Sequence, residues 1–137
     1  MNAFLNCSSL TEVILPDSVQ YLSSPFKNCH SLTRIDIGKG VTSLDEFEGC
    51  ENLKEINISL ENPKYASLDG VLFSKDMSIL REYPDGIEGS YSIPNSVVCI
   101  YDSAFRYSII ESVTIPYGVT KISSSAFRNC NQLNDVV

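Results

Sequence analysis

The sequence has 137 residues, 43% of them apolar and 20% charged, a globular composition that excludes wholesale disorder and is long enough to bury a core. Acidic residues outnumber basic ones 17 to 10, for a net charge of −7, so the chain repels phosphate backbones and no nucleic-acid role is expected. No apolar run approaches the ~18–20 residues of a membrane span and no charged-then-apolar leader is read at the start, so no membrane insertion of this segment is expected.

Along the chain one set of apolar positions recurs. Phe4 and Cys7 open the first copy as F-x-x-C; Leu10, Val13 and Leu15 follow, then Pro16 and the step Val19–Leu22. The second copy repeats this with Phe26–Cys29, Leu32, Ile35, Ile37 and Val41–Leu44, and the third with Phe47–Cys50, Leu53, Ile56 and Ile58. Further on come Pro94 and Val97–Ile100, then Phe105 with Ser108 at the cysteine offset, Ile110, Val113, Ile115, Pro116 and Val119–Ile122. Phe127–Cys130, Leu133 and Val136 begin one more copy. The first three cysteines lie 22 and 21 residues apart. About six units are visible, two of them partial, and the fourth lacks F-x-x-C.

A unit of ~20–29 residues cannot bury its own apolar face and becomes stable by stacking on its neighbours. The V-x-L and V-x-I pairs alternate at the strand period and consist of strand-forming residues. The prolines after them end the strand, and the F-x-x-C stretch reads as a turn or short 3₁₀ segment. No long helical period is present. The expected fold class is a β-rich solenoid, with 1–137 as a single domain and partial repeats at both ends.

The period breaks once. Ile58 and Ile93 are 35 residues apart where 21 or 22 is the rule. The extra residues, within about 62–83, include Val71-Leu72-Phe73 and Ile79-Leu80 joined by a polar turn, which predicts an inserted β-hairpin projecting from the stack or packed on its edge. Charge is uneven as well: between Asp45 and Glu88 there are 11 acidic and 4 basic residues, and the remainder is balanced.

The run Ala3-Phe4-Leu5-Asn6-Cys7-Ser8-Ser9-Leu10-Thr11-Glu12-Val13-Ile14-Leu15-Pro16-Asp17-Ser18-Val19, with Ala126-Phe127-Arg128-Asn129-Cys130 and the interruption from Asn62-Pro63 to Asp69-Gly70-Val71-Leu72-Phe73-Ser74-Lys75-Asp76, resembles the BspA-like, or Treponema pallidum-type, leucine-rich repeats. The resemblance implies a right-handed solenoid in a secreted or surface-anchored protein, extracellular or at the cell surface, whose relatives are associated with adhesion to host matrix proteins and with co-aggregation of bacteria.

Candidate chemistry is sparse. Cys7, Cys29, Cys50 and Cys130 share one repeat position and are expected to stack as buried small side chains. Cys7–Cys29 or Cys29–Cys50 disulfides are conceivable at the ~4.8 Å strand spacing. A linear column does not converge on zinc. His30 beside Cys29 lacks a third residue to orient it, Gly38-Lys39-Gly40 lacks phosphate-loop spacing, and Asp45, Glu46, Glu48 and Glu51 lack calcium-loop spacing and read as a solvated face. No catalytic, metal or cofactor residues are assigned, and the chain is not expected to be an enzyme.

What remains is surface. On the strands, residues alternating with the buried pairs face outward, among them Glu12, Arg34, Asp36, Glu55, Asn57, Ser112 and Thr114. Tyr101, Tyr107 and Tyr117 fall at variable slots of one unit and are candidate anchors for a partner, or covers for the neighbouring repeat. The expected function is a non-enzymatic binding or adhesion module whose repeat surface engages a host matrix or bacterial surface protein, the charge-balanced part first. The alternative is a passive spacer segment of a larger surface protein. Because stacked repeats need caps, the chain is expected to be part of a larger protein or to associate end to end with itself.

Overall fold

The computed structural model describes residues 3–137. Among these residues there are thirteen strands and no helix. In chain order they are β1 (Glu12–Leu15), β2 (Tyr21–Leu22), β3 (Arg34–Ile37), β4 (Ser43–Leu44), β5 (Glu55–Ile58), β6 (Tyr65–Leu68), β7 (Val71–Ser74), β8 (Ile79–Glu82), β9 (Gly89–Ser92), β10 (Cys99–Ile100), β11 (Ile110–Thr114), β12 (Lys121–Ile122) and β13 (Asp135–Val136). They wind into a β-solenoid of about six coils. Each regular coil carries one longer strand, then a turn that holds Pro16, Pro94 or Pro116 in three coils and Gly38-Lys39-Gly40 in the second, then a two-residue strand at the V-x-x-[LI] step.

Like strands of successive coils pair in parallel and in register. Val13, Ile35 and Ile56 form one column, and Leu15, Ile37 and Ile58 the next. Each column points inward because strand side chains alternate between faces. The phenylalanines stack behind them: ring centroids are 5.3 Å apart for Phe4 and Phe26, 6.2 Å for Phe26 and Phe47, and 4.8 Å for Phe105 and Phe127, all nearly parallel. Such pairs add roughly 0.5–1.5 kcal/mol each beyond burial.

The residue before each cysteine of the F-x-x-C stretches, and before Ser108 in the same place, turns the chain. Asn6, Asn28, Gly49, Tyr107 and Asn129 all have φ between 59° and 76°, a left-handed conformation that Asn and Gly adopt at least expense. A Cβ on Gly49 would lie 2.4 Å from the Asn28 Oδ1 and 3.0 Å from its Cα, so at this coil glycine also admits the close approach of the coil before it. The cysteines that follow are explained by the same turn: the thiols of Cys29, Cys50 and Cys130 donate to the carbonyls of Phe4, Phe26 and Phe105, one coil earlier, at 3.0, 3.1 and 2.8 Å. All five cysteines are free.

The insert contains the expected hairpin as β7 and β8, with one further strand, β6, before it, and it packs into the stack rather than projecting. β6 and β7 pair antiparallel across Asp69-Gly70, both at positive φ as a type I′ turn requires. β7 and β8 pair antiparallel in turn. The loop between them is tied by Asp76, whose Oδ1 accepts from the Ser74 and Ser78 hydroxyls at 2.7 Å each. β8 then pairs in parallel with β10, and β10 with β12, so β8 takes the short-strand place of the third coil. Asn62 anchors the start of the insert: fully buried, it donates to the carbonyls of Gly38 and Val41 and accepts from the amides of Lys64 and Tyr65, satisfying both its amide hydrogens and its oxygen.

The insert divides the solenoid. β1, β3 and β5 form one sheet and β9, β11 and β13 another, with β2–β4 separate from the sheet holding β6, β7, β8, β10 and β12. The core is divided too. The first cluster runs from Leu15 to Ile58 and ends with Tyr65 and Leu72; the second begins with Val71 and Phe73 and continues to Ala126. β7 thus faces both clusters, Leu72 toward one and its two neighbours toward the other. The phenylalanine ladder resumes beyond the seam with Tyr83, whose ring lies 4.9 Å from Phe105.

Candidate binding surface

The outward strand residues are arranged as their alternation requires. Glu12, Arg34 and Glu55 align in one row, and Ile14, Asp36 and Asn57 in the next. Arg34 donates to both carboxylate oxygens of Asp36 at 3.1 Å and lies 3.6 Å from Glu55. Asn57 donates to Asp36 at 2.9 Å and to Glu55 at 3.3 Å. Arg34, then Asn57, hold the Asp36 carboxyl below its ordinary range, and Asp36 raises the guanidinium in return. Ile14, 78% exposed, borders this network, and a shallow groove of about 310 Å³ runs between Ile14, Arg34, Asp36 and Asn57.

Ser112 and Thr114 sit on the other sheet, paired in register with Ser90 and Ser92, and Ser112 donates to the Ser90 hydroxyl at 2.7 Å. The strand face therefore has a charged half and a hydroxyl half. Between them, at the seam, lies a groove of about 600 Å³ bordered by Lys54, Glu55, Asn57, Asp69, Gly70, Ile87 and Glu88.

Among the described residues no ring contact joins the three tyrosines. Tyr101 is 41% exposed and its ring carries the Arg81 guanidinium at 4.4 Å. Tyr107 carries the Arg106 guanidinium at 4.8 Å and shares a hydrogen bond with it at 3.2 Å. Tyr117 is fully exposed, and among the described residues no ring or cation stacks on it. Tyr101 and Tyr107 instead border a cleft on the seam that their own unit's sequence does not reveal.

That cleft, about 310 Å³, is lined by Asp45, Glu46, Glu48, Arg81, Glu82 and Tyr101 with Leu44 and Leu72. A smaller cavity shares Glu46, Glu48 and Glu82 with it and adds Asp85, Arg106 and Tyr107. The stack opens here because β7 and β8 intervene between the third and fourth coils, and no ring follows Phe47 in the ladder until Tyr83. Of the acidic face expected from sequence, Glu48 pairs with Lys27 at 2.8 Å and Glu51 with His30 at 2.8 Å. Asp45 and Glu46 turn to the cleft. Burial raises the Glu82 carboxyl well above its ordinary range, with Asp85 and Glu46 adding repulsion. Burial, then Glu51, raises Asp85 to about 7, against a smaller pull from Arg106. Burial also keeps the Cys50 thiol protonated, with its pKa near 12, far from the activated thiolates of catalytic cysteines. The signal for the cleft in the sequence was the concentration of acidic residues between Asp45 and Glu88; its arginines carried none.

Residues 1–80 and 89–137 match the family model for the BspA type leucine rich repeat region, in six copies. The fold is similar to that of the pneumococcal vaccine antigen PcpA, at 25% identity and a TM-score of 0.77 over 93% of this chain and 39% of that one. It is also similar to a leucine-rich cell surface protein of Faecalibacterium prausnitzii, at 27% identity and a TM-score of 0.74 over 98% of this chain and 43% of that one. A leucine-rich repeat protein of Eubacterium ventriosum, 20% identical with a TM-score of 0.57, shares the fold. The chain thus spans about two fifths of the first two structures. No curated protein matches the sequence.

Proposed function

The chain belongs to the BspA-type leucine-rich repeat family, and from that premise we propose that it is a non-enzymatic binding or adhesion module of a secreted or cell-surface protein, engaging host matrix or bacterial surface proteins. The observation that carries this reading is the extended, ordered strand face, with its fixed Arg34–Asp36–Glu55–Asn57 network beside an exposed Ile14. A rigid polar array around an apolar residue has the make-up of a protein interface. The solved neighbours described as a vaccine antigen and a cell surface protein support the location.

The network favours a second reading as well. Its charges satisfy one another, which suits a passive spacer that needs no partner. Binding of the chain to immobilised host matrix proteins and to intact bacterial cells separates the two. With Arg34→Ala and Ile14→Ala together, the module reading expects a loss of roughly tenfold or more, the scale of truncating central interface residues. A spacer would show no saturable binding, and replacing it within its parent protein by an inert linker of equal reach would leave that protein's activity intact.

A further inference from the structure

The acidic cleft at the seam is a second surface, on a different face from the strand network, and its electrostatics are unusual. Among the described residues, Asp45, Glu46, Glu82 and Asp85 take part in no ion pair within 4 Å. Two arginines act on these carboxyls from a distance, Arg81 on Glu82 and Arg106 on Asp85, but neither forms an ion pair with them. Arg81 lies between the rings of Tyr65 and Tyr101, at 5.4 and 4.4 Å. Arg106 is laid on the Tyr107 ring, with its buried Nε unpartnered. Tyrosine rings thus hold the native cations away from the carboxylates.

Asp85 supplies a separate indication. It is only 9% exposed, no hydrogen bond or ion pair reaches its carboxylate among the described residues, and its side chain lines a cavity of about 10 Å³ that shares Glu46, Glu48 and Glu82 with the cleft. A carboxylate so far withdrawn from water and without a partner is costly, and a cation held in the cleft beside it would lower that cost. The position is the one that holds Asn or Gly in most other coils, residues that would carry no such charge.

We infer that this cleft receives a lysine or arginine side chain from a basic segment of a protein partner. A metal ion is the poorer fit, because among the described residues no three potential ligands converge. A long basic side chain fits on both counts: its aliphatic stem lies against Leu44 and Leu72, and its charged head meets Asp45, Glu46 and Glu82, none of which is in an ion pair. The acidic stretch around the cleft steers such a segment toward it. The inference rests on the binding-module reading but assigns a different face and a basic partner.

The test uses a labelled, end-capped Gly-Arg-Gly-Arg-Gly-Arg peptide, with Gly-Gln-Gly-Gln-Gly-Gln as reference, titrated with the full chain by fluorescence anisotropy at low and physiological salt. The arginine peptide is expected to bind roughly tenfold or more tightly than the reference. Glu46→Gln with Glu82→Gln should remove most of that preference. Glu12→Gln with Glu111→Gln, the same charge change on the strand face, should alter it by less than about twofold. Asp85→Asn, which tolerates burial better than the carboxylate, should also weaken binding, so the result does not depend on one variant folding. An absence of preference for the arginine peptide, or equal losses from cleft and strand-face pairs, overturns the inference. Matrix-protein binding lost through Arg34→Ala but unaffected by the cleft variants would leave the binding module standing and the cleft without its assigned role.

Discussion

Tyr107 occupies the slot that Asn6, Asn28 and Asn129 fill in other coils, in the same left-handed conformation. In that slot Asn28 donates to Asn6 at 3.1 Å, whereas the Tyr107 phenol reaches the Asn129 side chain and the Arg106 guanidinium. Tyr107→Asn should relieve strain at the loss of these exposed contacts, raising the melting temperature by about 3 °C in a thermal scan followed by circular dichroism. A fall would show that the ring holds the turn together. Asp85 makes the opposite kind of demand. Its pKa is raised, to about 7 in the folded chain from near 3.9 unfolded, so the protonated form is the one that folding favours. That stability is complete below about pH 4 and is lost as pH rises to about 7, amounting to roughly 3–4 kcal/mol. Asp85→Asn is expected to match the parent chain near pH 4 and to exceed it above pH 7, in urea melts taken across that range. If the two curves stay parallel, Asp85 is better solvated than its burial implies.

At the scale of elements, legibility followed repetition. The strands β1, β3, β5 and β11 were readable because Val, Leu and Ile alternate there and recur at fixed spacing, and their outward residues followed from the pleat alone. β9 was readable only by register, since Gly-Ser-Tyr-Ser has little strand character of its own. β6 was missed: Tyr65-Ala66-Ser67-Leu68 alternates weakly, and its strand form depends on pairing with β7. The fourth coil seemed to lack its aromatic because Tyr83 is followed by Pro84-Asp85-Gly86 instead of an x-Asn-Cys sequence. Gly86 takes the cysteine place there, where a Cβ would lie 2.8 Å from the carbonyl oxygen of Leu53. The hairpin's burial could not be foreseen either, because Phe73 and Leu80 disappear into a core that only the neighbouring coils complete. The cleft was hidden for the same reason. Asp45–Glu48, Arg81–Asp85 and Tyr101–Tyr107 are far apart in the chain, and only the break in the stack brings them together.

At the scale of the molecule, the seam determines how the two half-stacks cooperate. A solenoid transmits stability through nearest-neighbour contacts, and across the seam those contacts pass through the insert: Leu72 packs with the first cluster, and Val71 and Phe73 with the second. Direct backbone links are few, among them Gly86 N–H to the Leu53 carbonyl at 2.8 Å and Ile56 N–H to that of Gly70 at 2.9 Å. Leu72→Ala should thus do more than remove about 3 kcal/mol of packing. It should weaken the coupling between halves, so that unfolding spreads into two steps. Hydrogen exchange at intermediate urea reads this directly. In the parent chain the amides of Ile35 and Ile56 should exchange together with those of Ile100 and Val113, whereas in Leu72→Ala the first pair should exchange at lower urea than the second. Phe105→Ala, an equally buried truncation wholly within the second cluster, should lower stability without that order. Joint exchange in both variants would place the coupling in the backbone links across the seam, and the cleft would then be a rigid feature of one continuous stack.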